Sequence, residues 1–149
     1  MFTIRRLDAA LEPALIAFFR LLHEGGVEQF FHPHPFTADE ARARAGYGGE
    51  DLYYVVTEGD QILGYGFLRG WDEGYDIPSL GIVIHPARRG VGLGRTLMHA
   101  LHRAARERGA LRVRLKVYSK NVAARRLYED LGYLFGPVEE DQQVGFLDL

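Results

Sequence analysis

The chain predicts an α/β (α+β) fold built on a sheet of mixed direction. Three observations carry this: short segments alternate apolar and polar residues, others repeat apolar residues at helical spacing, and a Gly-rich turn joins an apolar strand to a helix. At 149 residues the length fits one domain, so residues 1–149 are read as a single unit. Hydrophobic residues make up 47% and charged residues 26%, an ordinary balance for a packed chain and a poor one for a disordered chain. No apolar run reaches the ~18 residues of a membrane span. Met1–Arg6 lacks the apolar core of a signal peptide. With no cysteine, disulfides, thiolate metal sites and a cysteine nucleophile are excluded. A cytoplasmic location and no membrane partner are the matching expectations.

The elements follow in order. Phe2–Leu7 alternates as a strand, and Asp8 caps a helix whose Leu11, Leu15, Phe18, Phe19 and Leu22 share one face before Gly25-Gly26 ends it. Thr37-Ala38-Asp39-Glu40 has the form of a capping box ahead of a short helix to about Ala45. Leu52–Thr57 and Gln61–Trp71 form a hairpin around Glu58-Gly59-Asp60, and an acidic, Gly-containing loop runs to Pro78. Ser79–His85 is mostly apolar, which predicts a buried central strand. After the turn Arg89–Gly94, a helix to about Arg108 places Leu97, Leu101, Ala104 and Ala105 on one face, with Gly109 closing it. Leu111–Val117 is a strand, Ser119 or Asn121 opens a helix that ends at Gly132, and Tyr133–Phe135 and Gln143–Leu147 are the last strands. His99 and His102 are expected at the surface.

The formal charge of −2 conceals segregation. Residues 1–85 hold 6 Lys and Arg against 13 acids, residues 86–126 hold 12 against Glu107 alone, and residues 127–149 hold 6 acids and no base. A basic block within an acidic chain points to a phosphorylated partner or to a solvated helix face. The Gly-rich turn favours the ligand. A strand-to-helix turn leaves several N–H groups free at the positive end of the helix dipole, and Arg88, Arg89 and Arg95 flank it. A dinucleotide fingerprint is excluded, because the sixth position from Gly90 is Arg95 and from Gly92 is Leu97. A P-loop is excluded because Gly94-Arg95-Thr96 lacks its lysine and spacing. Nucleic acid is not the expected partner, since the basic strand 111–117 carries no interleaved aromatics.

Arg89-x-x-Gly92-x-Gly94, after a strand ending in His85-Pro86, resembles the acyl-coenzyme A signature of the GCN5-related N-acetyltransferase (GNAT) family. Asn121-x-x-Ala124-x-x-Leu127-Tyr128-x-x-x-Gly132-Tyr133 resembles its second signature, and the order of elements agrees over nearly the whole chain. The resemblance implies a mostly antiparallel sheet of six to seven strands, helices on both faces, a splayed central strand pair and acetyl-CoA as acyl donor. It implies that the main chain of Ile82, Val83 and Ile84 lines the pantetheine arm, with an N–H near Ile82 aimed at the thioester oxygen. Such a donor is worth about 3–4 kcal/mol in other enzymes. It also implies that the N–H groups of Arg89, Gly90, Val91, Gly92, Leu93, Gly94 and Arg95 hold the pyrophosphate. Thr96 would add a hydroxyl, Asn121 would sit on the cofactor side, and Tyr128 would be the general acid for the leaving thiolate.

The general base is open. Position 78, a glutamate in some members, is proline here, so Asp76, Glu73 and Ser79 are candidates, with His85, His34 or a water relay behind them. Phe31, His32, His34, Trp71 and Tyr75 lie in the two segments that depart from the bare scaffold and are the expected acceptor contacts. No metal is expected. The acceptor is a small amine such as an amino sugar, or else a peptide N-terminus or lysine; a noncatalytic acyl-CoA-binding module is the other class. Many family members are homodimers, and no segment here names an interface.

Overall fold

The computed structural model describes residues 1–30 and 33–149; the acceptor candidates Phe31 and His32 lie outside the described residues. The strands are β1 (Thr3–Arg6), β2 (Leu52–Glu58), β3 (Gln61–Arg69), β4 (Ser79–Ile84), β5 (Arg112–Tyr118), β6 (Leu134–Phe135) and β7 (Gln142–Asp148). The helices are α1 (Glu12–Glu24), α2 (Ala38–Ala45), α3 (Leu93–Glu107) and α4 (Val122–Asp130). Among the described residues the strands form one seven-stranded sheet in the order β1-β2-β3-β4-β5-β7-β6. Every pairing is antiparallel except β4 with β5.

Local chemistry sets the helix starts. The Asp8 carboxylate accepts from the Ala10 N–H at 3.0 Å and caps a 3-10 turn that leads into α1. Thr37 Oγ1 accepts from the Glu40 N–H at 3.1 Å, but Glu40 does not complete the capping box. Its carboxylate takes the Arg44 guanidinium at 3.1 Å instead.

Each sheet face has its own core. Leu15, Phe18, Phe19 and Leu22 of α1 pack with Tyr53, Val55, Tyr65, Phe67 and Val83 on one face. On the other, Leu97, Met98, Leu101, Ala104 and Ala105 of α3 pack with Leu63, Leu68, Leu80, Val113, Leu115 and Val117, and Tyr128 and Tyr133 join them. Fully burying Leu97, Met98 or Leu101 stabilises by about 1.5–3 kcal/mol each. Gly66 sets how closely α3 approaches: a Cβ there would lie 2.9 Å from Leu101 Cδ1 and 3.2 Å from Leu97 Cδ2.

Two expectations are corrected. β4 is central, but only Leu80 and Val83 are buried; Ile82 and Ile84 stay half-open because the sheet parts beside them. His102 is not a surface residue. It is 3% exposed beneath α3, and its Nε2 lies 2.7 Å from the Tyr133 hydroxyl. The helical spacing that puts Met98, Leu101 and Ala105 in the core carries His102 with them.

Burial holds the His102 pKa down at about 4, with Arg106 and His99 adding to the effect. A group whose folded pKa is depressed contributes stability above its unfolded value near 6.5, and that contribution is lost as pH falls toward 4. Thermal melting should therefore decline between pH 6.5 and 4. His102→Gln should flatten this decline while lowering the midpoint at pH 7.

Candidate active site

β4 and β5 share a single bridge, Ser79 to Arg114, reinforced by the Arg114 N–H donating to the Pro78 carbonyl at 3.0 Å. Beyond it β4 stays paired to β3 and β5 to β7, so a wedge opens between them. Strand parity fixes what faces the wedge. The His85 N–H donates to the Leu63 carbonyl at 2.8 Å, which places the odd residues of β4 in the ladder with β3. The N–H and C=O groups of Ile82 and Ile84 therefore point toward β5 and have no ladder partner there. A cleft of about 1550 Å³ runs through this wedge, lined at one end by Arg89, Gly90, Gly92, Gly94 and Arg95 and at the other by Phe67, Arg69, Glu73, Tyr75 and Asp76.

At the first end the backbone turns at Gly90 (φ 79°) and Gly92 (φ 85°), conformations that glycine adopts without a Cβ clash. The first α3 hydrogen bond runs from the Thr96 N–H to the Gly92 carbonyl at 3.0 Å, so the N–H groups of Leu93, Gly94 and Arg95 precede the ladder and are open to an anion. Of the flanking arginines, Arg88 is bound to Glu58 at 3.0 Å and Arg95 to Asp130 at 3.5 Å. Among the described residues Arg89 has no carboxylate partner. Thr96 corrects an expectation: its hydroxyl donates to the Gly92 carbonyl at 2.9 Å and does not line the cleft. The Val91 side chain is exposed and is not part of the cleft lining.

In the middle of the cleft, Tyr128 is 8% exposed yet forms part of the lining. No fully buried side-chain polar atom lacks a partner among the described residues, and Tyr128 makes no hydrogen bond there, so its hydroxyl reaches open space in the cleft. Burial of the ring raises its pKa to about 12 and keeps the phenol protonated. Asn121 lines the same stretch while its Oδ1 caps α4 by accepting from the Ala124 N–H at 3.4 Å.

The other end is lined only in part by the residues expected to meet an acceptor. Glu73, Asp76 and Tyr75 line it, Tyr75 being 60% exposed. Trp71 does not; it packs toward the α3-side core with the Arg108 guanidinium 4.8 Å from its ring centroid. His34 is 6% exposed inside the α1-side aromatic core, its Nε2 2.8 Å from the Tyr65 hydroxyl and its Nδ1 2.9 Å from the Pro35 carbonyl. Burial lowers its pKa, and it is no cleft residue. His85 caps the next turn, its Nδ1 accepting from the Ala87 N–H at 3.0 Å, and lies off this cleft. Phe67 lies against Gly81, where a Cβ would come 2.2 Å from Phe67 Cζ.

Asp51 was not singled out from the sequence. It is buried, and its Oδ1 accepts from the N–H groups of Gly70 at 3.0 Å and Trp71 at 2.9 Å, which anchors the loop that carries Glu73, Tyr75 and Asp76. An acid one residue before a buried strand was its only sequence signal. The basic block also divides. Val113, Leu115 and Val117 face α3, so Arg112, Arg114 and Lys116 project from the opposite face, away from the Gly-rich turn. Among the described residues no group of three or more His, Asp or Glu could hold a metal, and no helix is long and apolar enough to cross a membrane.

The acetyltransferase (GNAT) family model matches residues 15–133, from α1 through the start of the final hairpin. The chain belongs to the GNAT family. A mycothiol acetyltransferase of Rhodococcus erythropolis is 36% identical over 101 residues, 64% of this chain and 34% of that protein. An N-acetyltransferase of Mycobacterium tuberculosis is 38% identical over 74 residues, 49% of this chain and 46% of that one. The chain thus spans less than half the length of these curated relatives. The GNAT domain of S. lividans PAT superposes with a TM-score of 0.84 at 18% identity, covering 98% of this chain and 89% of that one. PaiA N-acetyltransferase from Thermoplasma acidophilum, in complex with coenzyme A, gives 0.78 at 14% identity over 100% and 99% of the two chains. These structural likenesses establish the GNAT fold.

Gly92→Ala places a Cβ at a left-handed turn position and costs about 1 kcal/mol or more in local strain. It should weaken coenzyme A binding by about tenfold in calorimetry if the turn must keep its present shape.

Proposed function

We propose that the chain transfers an acetyl group from acetyl-CoA to the primary amine of a small-molecule acceptor by direct attack. The observation that carries this is the wedge between β4 and β5, which opens at the N-terminus of α3 and has main-chain groups facing into it. An extended, amide-bearing pantetheine can pair with the groups of Ile82 and Ile84 as an added strand does. Its pyrophosphate can sit on the N–H groups of Leu93, Gly94 and Arg95, beside Arg89. Val83 offers neither main chain nor side chain to the arm, since its N–H and C=O belong to the ladder with β3 and its side chain is buried in the α1-side core.

The chemistry follows from these positions. The amine nitrogen attacks the acetyl carbon, the new C–N bond replaces the C–S bond, and the developing oxyanion meets the Ile82 N–H. The departing thiolate takes a proton from the Tyr128 hydroxyl, which its raised pKa keeps available, and the phenolate regains the proton that the newly acylated nitrogen sheds. Asp76 or Glu73, or a water held between them, accepts the proton that the ammonium must lose. The relatives named as acetyltransferases support the transfer and leave the acceptor open.

Release of free CoA from acetyl-CoA across a panel of small amines and peptides is the test. Turnover of small amines is expected. Turnover of peptides alone would move the acceptor to a peptide amine, and tight CoA binding with no turnover would leave a binding module. Tyr128→Phe should lower kcat by about 10²-fold with CoA affinity within about twofold of the parent. An unchanged rate would remove Tyr128 as the acid.

A further inference from the structure

The acceptor end of the cleft holds cations that the reaction above does not use. β3, β4 and β5 are in register there: Arg69 lies opposite Ser79, and Ser79 opposite Arg114. Neighbouring strands are about 4.8 Å apart, so the two arginines stand roughly 10 Å apart at their Cα atoms with the serine between them. All three project from the α1-side face, as Phe67 and Val83 do. Arg114 Nη1 donates to Ser79 Oγ at 3.1 Å. Arg69 Nη1 donates to the Pro33 carbonyl at 3.3 Å, and its guanidinium lies 5.5 Å from the Phe67 ring centroid. Both are half-buried and both line the cleft.

Neither guanidinium has a carboxylate within ion-pair distance among the described residues, whereas Arg88, Arg95, Arg108, Arg112 and Arg125 each do. Lys116, two residues along β5 on the same face, also lines the cleft without one. Glu73 and Asp76, exposed on the loop between β3 and β4, also line the cleft and have no cation partner among the described residues. The same end of the cleft therefore offers unpaired charge of both signs. Half-buried arginines arranged as a pair are suited to a carboxylate, which a guanidinium can grip through two parallel hydrogen bonds.

We infer that the acceptor is a zwitterion, an amine that also carries a carboxylate, with the carboxylate held by Arg114 and Arg69 across Ser79 while the ammonium faces Glu73 and Asp76. This rests on the acetyl-transfer reading and narrows its substrate class. It favours amino acids and their close derivatives over neutral amino sugars and internal lysines.

The test is a set of matched pairs, each an amino acid and its carboxamide, assayed for CoA release with acetyl-CoA. The free acid should exceed its amide in kcat/KM by at least about tenfold for the preferred side chain. In Arg114→Gln that ratio should fall toward one, and Arg69→Gln should lower it independently, so a folding defect in one variant does not decide the matter. Amides turned over as well as or better than acids would overturn the zwitterion and leave acetyl transfer standing. Turnover of neither member of any pair, with peptides accepted, would overturn both the zwitterion and the small-molecule acceptor.

Discussion

Strands β4 and β5 run parallel, meet at Ser79 and Arg114, and then part. In a closed sheet every inner main-chain group is spoken for. Here the ladder stops after one bridge, and the groups of Ile82 and Ile84 are left facing a space that runs through the sheet. The Gly-rich turn lies at the open end because α3 is the crossover between these two strands, and Tyr128 reaches the middle because α4 follows β5 directly. The cores on the two faces grip β3 and β4 from α1 and from α3, so the parting does not loosen the fold around it.

Most of the architecture was legible because its signals are local. Periodicity fixed the helices and strands to within a residue or two, Asp8, Thr37 and Asn121 cap as their positions imply, and Gly90 and Gly92 turn where a left-handed backbone is needed. What failed was long-range. His102 reads as polar in isolation, but α3 buries it against Tyr133, a residue 31 positions away. His34 is an expected acceptor contact by sequence, yet it closes an aromatic core through Tyr65. Trp71 looked like an acceptor contact, and Arg108 on another element draws it to the opposite side.

The fold resolves the charge segregation along the chain into separate groups. The excess of bases in residues 86–126 divides between two faces of one sheet. At the turn Arg89 has no carboxylate partner among the described residues, while Glu58 and Asp130 neutralise its neighbours. β5 turns Arg112, Arg114 and Lys116 to the far side by simple alternation, where Asp148 occupies Arg112 at 2.8 Å. Counting along the sequence merged these groups because strand alternation is invisible to a running sum. The transverse row of Arg69, Ser79 and Arg114 was hidden for the same reason: three strands separated in sequence supply it, and only register brings them together.

A slot through a sheet has two mouths. The Gly-rich turn stands at one and the loop that Asp51 anchors stands at the other. Under the proposed acetyl transfer, a donor held at the first would leave the second open, and neither partner would need to wait for the other to depart. Two ligands would then lie end to end in one cleft, each reaching it from its own side, with the reacting atoms between Ile82 and Tyr128.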